Sequence, residues 1–208
     1  MKSSTKPKSA TSYTDTSFGI LPREKVIELE KQGIKKALEY IIKLSEKNTQ
    51  ITPEVILDIH KEGFGFIFPD WAGRYRSIEV TVGDYIPPLP HEVPVLVKNL
   101  TEDLKERLKH IPSTESPEVF LTEVISLLSW FQNRFVWIHP FNDYNGRTAR
   151  LLTNLLTLNL GLPLFEIKAD TEKDRDTYIS AMKLADEHDY EKLENLISDA
   201  LEESLKRM

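Results

Sequence analysis

Most of the chain alternates apolar and polar positions with the spacing of an α-helix. Between Val26 and Ile42, apolar residues recur every three or four positions with charged residues between them, which predicts an amphipathic helix. The segment TPEVILDIHKEGF begins with Thr52, a good N-cap, and Pro53 at the first helical position, so a second helix is expected there. His60 lies on that helix, where we interpret it as a structural residue.

Helical spacing resumes near residue 92 and continues, with interruptions, towards the C-terminus. One helix is expected over about residues 92–110, and another follows Ser116 and Pro117, a cap followed by a proline. The latter helix is apolar around much of its circumference and is predicted to lie at the centre of the core. The next helix is expected to stop at Gly161, and two more are predicted over about residues 172–187 and 191–206.

The helical period disappears between Phe64 and Pro90. Residues 76–82 alternate with a period of two, and Gly83 and Asp84 suit a tight turn before the next apolar pair. Prolines follow and stop further strand pairing. The sequence therefore predicts one short β-hairpin in an otherwise all-α protein.

Composition places limits on the class of protein. Residues 1–20 are rich in Ser, Thr and Lys, so a flexible N-terminal tail is predicted, followed by a single domain over residues 21–208. The N-terminus lacks the apolar region of a secretory signal and no stretch approaches a membrane span, so we expect a cytoplasmic protein without a membrane partner. A net charge of −6 makes general nucleic-acid binding unexpected. The chain has no cysteine, which excludes disulfides, thiolate catalysis and cysteine-based zinc sites.

The densest group of reactive side chains lies in residues 139–150, which read HPFNDYNGRTAR. This segment connects the apolar central helix to the next predicted helix, so it should form a loop that ends in a helix N-terminus. Such an N-terminus exposes unpaired N–H groups and a partial positive charge, and it attracts phosphate. Gly146 lets the backbone approach an anion, and Arg147 and Arg150 lie on nearly one helix face, where both can hold its oxygens.

Other residues of the segment add possible chemistry. His139 has a side chain with a near-neutral pKa and can take a proton from an attacking hydroxyl. Asp143 offers a hard oxygen ligand suited to Mg²⁺ that is shared with phosphates. Asn145 can fix a phosphate oxygen or the loop itself, and Phe141 is expected to anchor the loop in the core. Each residue alone also fits an ordinary capped helix with solvated arginines, but their combination favours a site.

The segment HPFNDYNGRTAR resembles the signature of Fic-domain proteins, HPFx(D/E)GNGRxxR, at every specified position except Tyr144. The resemblance extends to GRYR followed by VTVGDYIPP, which is similar to the family's β-hairpin flap, and to the helical segments LEKQGIKKALEYI and YISAMKLADEHDYEKL. It covers about residues 24–200. It implies an all-α, Fic-like helical bundle with one short β-hairpin flap.

The resemblance also implies a protein adenylyltransferase, which transfers AMP from ATP to a Ser, Thr or Tyr hydroxyl of a target protein. In that reaction His139 would be the base, Asp143 would hold Mg²⁺ and Arg147 would hold the phosphates. The predicted nucleotide and phosphate site comprises Phe141, Tyr144, Asn145, Gly146, Arg147 and Arg150. The flap would align a target segment by strand addition, with a plain cover over the core as the alternative. The flap residues concerned are Ile78, Val80, Val82, Tyr85 and Ile86.

Tyr144 stands where the family usually has glycine. A tyrosine disfavours a positive φ and brings bulk close to the nucleotide. Its ring could stack on a neighbour and merely line the pocket, or it could narrow the pocket and change which nucleotide is accepted. Its hydroxyl could also contact phosphate.

Many Fic proteins are inhibited by a helix carrying Ser/Thr-x-x-x-Glu-Gly/Asn, whose glutamate pairs with the second arginine of the signature. The early helix of this chain has no such pattern. Near the C-terminus, Ser198 and Glu202 satisfy the first part of it, but Glu203 stands where Gly or Asn is expected. The hypothesis is that Glu202 reaches Arg150 and lowers activity; an ordinary amphipathic terminal helix is the alternative.

Other functions remain open for the same fold. These are transfer of another nucleoside monophosphate, phosphotransfer, removal of AMP, and a restrained nucleotide-binding module of the toxin–antitoxin type. Gly146 and Arg147 argue against the phosphorylating, Doc-like version, whose loop contains a lysine. The expected partners are ATP and a target protein, which could be the chain itself, with a homo-oligomer or an inhibitory partner as further possibilities.

Overall fold

The computed structural model describes residues 3–4, 13–112, 115–168 and 171–207. These residues form an all-α bundle with a small antiparallel β-hairpin, as predicted, although the paired strands of that hairpin lie at residues 13–22. The helices are α1 (Arg23–Ser45), α2 (Pro53–Phe64), α3 (Val93–Leu108), α4 (Pro117–Ile138), α5 (Asn145–Asn159), α6 (Glu172–Asp186) and α7 (Glu191–Leu205). The strands are β1 (Ser3–Ser4), β2 (Tyr13–Thr16), β3 (Gly19–Pro22) and β4 (Val80–Thr81). Within the described ranges, no helix combines the length and apolar character that crossing a bilayer requires.

The helix ends follow the local signals of the sequence in most places. The Thr52 hydroxyl caps α2 by accepting a 3.3 Å hydrogen bond from the Val55 N–H. Gly161 adopts a φ of 76° just beyond α5, as expected of a glycine that ends a helix. Ser116 was predicted to cap α4, but its side chain makes no capping hydrogen bond. Its ψ of 80° lies outside the extended range of an N-cap, and the proline at position 117 begins the helix without it.

Helix α4 is the centre of the core, as its apolar circumference predicted. It packs against α3, α5, α6 and α7. Phe131 and Phe135 on α4 and Leu152 and Leu155 on α5 are fully buried in one cluster. Because α4 ends where the HPFNDYNGRTAR loop begins, this central helix determines where that loop lies.

Helices α1 and α2 approach each other closely through two glycines. A Cβ atom on Gly33 would lie only 1.9 Å from the backbone oxygen of Gly63, so only glycine fits at position 33 without movement. The contact brings α1 and α2 together, and both helices also pack against α5. They therefore form the wall of aromatic and charged residues behind the loop.

The N-terminal prediction needs a correction at its boundary. Residues 13–22 are not part of a flexible tail, because β2 and β3 pair as a tight hairpin that turns at Gly19, where φ is 87°. This hairpin is attached to the bundle, since the Ser17 N–H donates a 2.9 Å hydrogen bond to the Ile67 carbonyl and Phe18 packs edge-on against Phe66. Residues 1–2 and 5–12 of the predicted tail lie outside the described residues. The single domain over residues 21–208 stays a prediction.

The predicted flap hairpin is shorter in the structure than the alternation suggested. Its two arms meet only where Val82 and Tyr85 exchange backbone hydrogen bonds of 2.9 and 3.0 Å across a turn that contains Gly83. Residues 76–79 do not pair across it. Instead, β4 pairs in parallel with β1, with Ser3 opposite Val80.

Candidate active site

The loop between α4 and α5 is bounded by two residues in the left-handed region of backbone space. His139 has φ 52° and ψ 59°, and Tyr144 has φ 62° and ψ 16°. For residues other than glycine this conformation costs about 1–2 kcal/mol each, so the surrounding contacts must hold the loop in place. Those contacts come from α1, α2 and the segment before the flap.

His139 is buried, and one of its ring nitrogens is able to accept a proton. Its side chain is near the Val136 carbonyl, to which Nδ1–H donates a 3.2 Å hydrogen bond, and this tautomer leaves Nε2 as the nitrogen that can accept a proton. Burial lowers the pKa of His139 to about 4, and the charge of Arg76 acts in the same direction against the hydrogen bond. His139 is therefore neutral at pH 7, as a proton acceptor must be.

Arg76 joins the flap to this loop. Its buried guanidinium donates hydrogen bonds to the carbonyls of His139 (2.7 Å), Ile78 (3.2 Å) and Pro88 (2.5 Å), and its backbone N–H donates to the Pro140 carbonyl at 2.9 Å. The sequence pointed to GRYR as part of the flap region but gave Arg76 no role. The feature of the sequence that could have indicated this role is the position of Arg76 directly before the alternating apolar residues of the flap.

Phe141 and Asn145, both predicted to bind nucleotide or phosphate, point into the protein. Phe141 is fully buried, and Asn145 is 2% exposed. The Asn145 amide closes the loop by accepting from the Phe141 N–H at 2.8 Å and donating to the Phe141 carbonyl at 2.9 Å. Both side chains therefore support the loop, as the sequence expected of Phe141 and gave as an alternative for Asn145. Their contact with a nucleotide stays a prediction.

His60 supports the same loop from α2. It is fully buried, and its ring stacks on Phe141 with 3.7 Å between centroids. Nδ1 accepts a 2.9 Å hydrogen bond from the Gly73 N–H, so Nε2 carries the proton and donates to the Asp143 carbonyl at 3.2 Å. These contacts agree with the structural interpretation of His60.

The first turn of α5 presents the residues suited to anions. Gly146 faces the Arg150 guanidinium, which a Cβ at that position would approach to 3.9 Å. Arg147 and Arg150 line a cavity of about 370 Å³, and the Arg150 guanidinium carbon lies 5.7 Å above the ring of Tyr178. Lys168 adds a further positive group to the cavity wall, although it pairs with a glutamate there. The arrangement offers two arginines beside a helix N-terminus, which suits a phosphate chain.

Tyr144 stacks on its neighbours, which is one part of the first alternative raised by the sequence. Its ring lies 4.1 Å from that of Phe64 at an angle of 10°, and Phe68 and Trp71 complete an aromatic cluster around it. Its hydroxyl donates a 2.7 Å hydrogen bond to Glu30 Oε1. The hydroxyl is thus engaged by a carboxylate, and the ring does not line the cavity of Arg147 and Arg150.

Glu30 was not predicted as a site residue, yet it lies at the centre of the charged groups behind the loop. It is 1% exposed and binds both Arg23 and Arg147, with 2.8 Å between Oε2 and Arg147 Nη1. Burial alone would raise the pKa of Glu30, but its donors Arg23, Arg147 and Tyr144 outweigh burial and lower it. A signal existed in the sequence, since Glu30 interrupts the buried stripe that runs from Val26 along α1.

Asp143 is an exposed residue at the end of the loop, and its Oδ1 accepts a 2.7 Å hydrogen bond from the Tyr144 N–H. Its carboxyl group is partly withdrawn from water, and this desolvation raises its pKa above the ordinary value. Among the described residues, no group of three or more His, Asp or Glu side chains could hold a metal ion. A single carboxylate is nevertheless compatible with Mg²⁺, which commonly takes one or two protein carboxylates and completes its shell with water and substrate phosphates.

The predicted flap residues divide into two groups. Ile86 is 72% exposed and Ile78 is 39% exposed, so both are open to a partner, whereas Val80 is buried. The Tyr85 hydroxyl donates a 2.9 Å hydrogen bond to the Trp137 carbonyl and ties the turn to the end of α4. Val82, the bridge partner of Tyr85, is partly buried.

The hypothetical contact between Glu202 and Arg150 is not formed in this structure. Glu202 has an exposed side chain that pairs with Lys206 one helical turn away, at 2.5 Å. Ser198, the first residue of the pattern, lies on the same helix, α7. Of the two neighbouring glutamates, it is Glu203 that lines the cavity with Arg150, together with Ala200, Ser204 and Arg207.

Comparisons with known proteins agree with the signature in the loop. A family model described as Fic/DOC family matches residues 50–157. The chain is 33% identical over 165 residues to a protein adenylyltransferase Fic of Nematostella vectensis, covering 77% of this chain and 36% of that protein. A protein of the same name from Aedes aegypti is 32% identical over 174 residues, which cover 83% of this chain and 32% of that protein. The chain thus spans about a third of the length of these relatives.

Solved structures give the same fold. Residues 134–508 of Fic-1 from C. elegans superpose with a TM-score of 0.68 at 27% identity, over 84% of this chain and 48% of that one. A Fic-domain signaling protein from Bacteroides thetaiotaomicron superposes with a TM-score of 0.70 at 22% identity, over 85% and 69% of the two chains. The second likeness concerns the fold alone.

Proposed function

Because the chain belongs to the Fic/DOC family, we propose that it is a protein adenylyltransferase, which moves AMP from ATP to a hydroxyl of a target protein. The observation that carries this proposal is the neutral, buried His139 beside an α5 N-terminus that presents Arg147 and Arg150. A base and an anion site on one short loop are what hydroxyl attack on a phosphate requires. The relatives from Nematostella vectensis and Aedes aegypti, both named protein adenylyltransferase Fic, support the same reaction.

In the proposed reaction the target hydroxyl oxygen bonds to the α-phosphorus of ATP. His139 Nε2 takes the hydroxyl proton, the bond from the α-phosphorus to the bridging oxygen breaks, and pyrophosphate leaves. Arg147, Arg150 and the N–H groups at the start of α5 hold the phosphate oxygens and stabilise the charge that develops on them. AMP remains on the target through a phosphodiester bond.

Asp143 would hold Mg²⁺ together with the phosphates, and the ion would neutralise part of their charge. The chain supplies one carboxylate for this purpose, so the metal would bind with ATP rather than before it. The Asp143 carboxylate also accepts a hydrogen bond from the Tyr144 N–H, which holds it at the mouth of the loop.

The flap would align the target segment, with the exposed Ile78 and Ile86 as its contact residues. Arg76 and Tyr85 hold the flap against the end of α4, so a segment bound there would be fixed relative to His139. A Ser, Thr or Tyr side chain on that segment is the expected acceptor. The chain itself is one available target.

The test is incubation with Mg²⁺ and ATP labelled at either the α- or the γ-phosphate, with the chain alone and with a mixture of cellular proteins. The expected result is protein labelled only from the α position, by the parent and by a His110→Ala control, and no label with His139→Ala. His110 is an exposed histidine distant in sequence from the loop. Label from the γ position would replace adenylylation with phosphorylation, and absence of label from both positions would contradict the proposal.

A further inference from the structure

Tyr144 and Glu30 bring residues of α1, α2 and α5 to a single point behind the loop. The Tyr144 ring is held by Phe64, Phe68 and Trp71, so its hydroxyl has a fixed position. That hydroxyl donates to Oε1 of Glu30, an oxygen that also accepts from Arg23. The aromatic cluster therefore determines the position of a buried carboxylate on α1.

The same carboxylate holds Arg147. Its second oxygen, Oε2, accepts from Arg147 Nη1 at 2.8 Å and from Arg23 Nη2 at 3.2 Å. The Arg147 guanidinium also lies over the ring of Tyr144, with 5.1 Å from its central carbon to the ring centroid. One hydrogen bond and one stacking contact thus fix both the position and the plane of the guanidinium.

The charges of this group favour an anion at Arg147. A lone glutamate would cancel the arginine that it orients, but Glu30 is shared with Arg23, which faces both of its oxygens. The three side chains together carry one net positive charge. The Arg147 side chain is 31% exposed, compared with 2% for Glu30, so the positive charge is presented outwards and the negative charge is buried.

We propose that Glu30 and Tyr144 are positioning residues, which hold the Arg147 guanidinium in the orientation that receives the triphosphate of ATP. This inference rests on the proposed function, because it takes ATP as the ligand of Arg147. It assigns to Tyr144, the position that departs from the family signature, the task of fixing Glu30 through its hydroxyl. Neither residue contacts the reacting atoms.

The test measures the Kd of a non-hydrolysable ATP analogue, with Mg²⁺, by titration calorimetry. Tyr144→Phe keeps the ring and removes the hydroxyl, and we expect it to weaken binding about threefold to tenfold, which corresponds to about 0.7–1.4 kcal/mol. Glu30→Gln should weaken binding at least as much. The matched control is Tyr40→Phe, which removes the hydroxyl of a tyrosine that lies on α1 and outside this group, and which should bind the analogue like the parent.

The second part of the test distinguishes a loss of positioning from a general loss of structure. In an Arg147→Ala background, Tyr144→Phe should cause no further loss of affinity, because the guanidinium that it positions is absent. The melting temperature of each variant shows that it is folded at the temperature of the titration. In the parent background, analogue affinity unchanged by Tyr144→Phe would overturn the inference.

Tighter binding by Glu30→Gln and Tyr144→Phe would also overturn it, since Glu30 would then compete with phosphate for Arg147. An equal loss with and without Arg147 would do the same. Failure of the proposed function is a separate result. A parent chain that binds the analogue but transfers no α-label would refute adenylylation. The measured affinities of the variants would still decide whether Glu30 and Tyr144 position Arg147.

Discussion

The ring of His60 on α2 stacks on the ring of Phe141 in the loop, with 3.7 Å between centroids and 17° between planes. The stack joins the helix behind the site to the residue that follows Pro140. It places one histidine beneath the loop while the other, His139, begins it. The two histidines of the site therefore have different tasks, which variants can separate.

Replacing His60 with alanine should destabilise the protein. The variant loses the stack on Phe141 and leaves the Gly73 N–H and the Asp143 carbonyl without their partner, so we expect the free energy of unfolding to fall by about 3 kcal/mol. Urea denaturation measures the change. His110→Ala, at an exposed position, should stay within about 0.5 kcal/mol of the parent. Similar values for both variants would contradict the supporting role of His60.

Replacing Arg76 with lysine should loosen the flap although the charge is kept. An ammonium group cannot reach the carbonyls of His139, Ile78 and Pro88 together as the guanidinium fork does, so about 2 kcal/mol of stability should be lost. Hydrogen exchange of residues 78–88 should become faster. Arg74→Lys, two positions earlier and exposed, is the matched control and should exchange like the parent. Unchanged protection in Arg76→Lys would contradict this account of the flap.

The crossing of α1 and α2 gives a paired test at two glycines. Alanine at Gly33 would place its Cβ 1.9 Å from the Gly63 oxygen, so the helices must separate and roughly 2 kcal/mol or more should be lost. Alanine at Gly63 meets nothing closer than 3.5 Å, and its higher helix propensity should leave stability unchanged or raise it by up to about 1 kcal/mol. Thermal unfolding compares the two variants. The reverse order of stability would show that the contact is not close.

The pH dependence of the proposed AMP transfer should follow the lowered pKa of His139. A base must be neutral to accept a proton, and burial holds the pKa of His139 near 4, so the group is competent at every pH above that value. The acidic limb of kcat/KM is therefore expected near pH 4 rather than near 6.5. Transfer rates at subsaturating ATP measure it, and circular dichroism at each pH shows whether the chain is still folded. A limb near pH 6.5 in folded protein would show that His139 is not held in this environment.

The helices could be predicted from sequence because their signals are local. Thr52, Pro53 and Gly161 mark ends within a few residues of the positions they terminate, and the apolar spacing of α4 indicates its central place. The limits of the flap were less predictable. Alternation over residues 76–82 suggested longer pairing. However, the Arg76 side chain donates hydrogen bonds to carbonyls on both sides of the turn, and only one bridge forms between the two arms.

The sequence indicated which residues the loop would bring together, but less about their orientation. The signature identified His139, Arg147 and Arg150, but it could not show that Phe141 and Asn145 turn inwards, since this depends on His60 and on the packing of α2. The partner of Tyr144 lies on α1, far along the sequence, so three alternatives stayed open for its side chain. A local pattern contains no information on such a contact.

The two left-handed residues at the ends of the loop affect how a ligand can bind there. Ordering a residue costs roughly 1–2 kcal/mol of backbone conformational entropy, and in residues 139–144 that cost is met when the chain folds rather than when ATP arrives. A ligand then encounters a loop that is already shaped, and more of its interaction energy appears as affinity and as orientation of the reacting groups. The fixed backbone at His139 and Tyr144 therefore contributes to ligand affinity, because its conformation is set before the ligand binds.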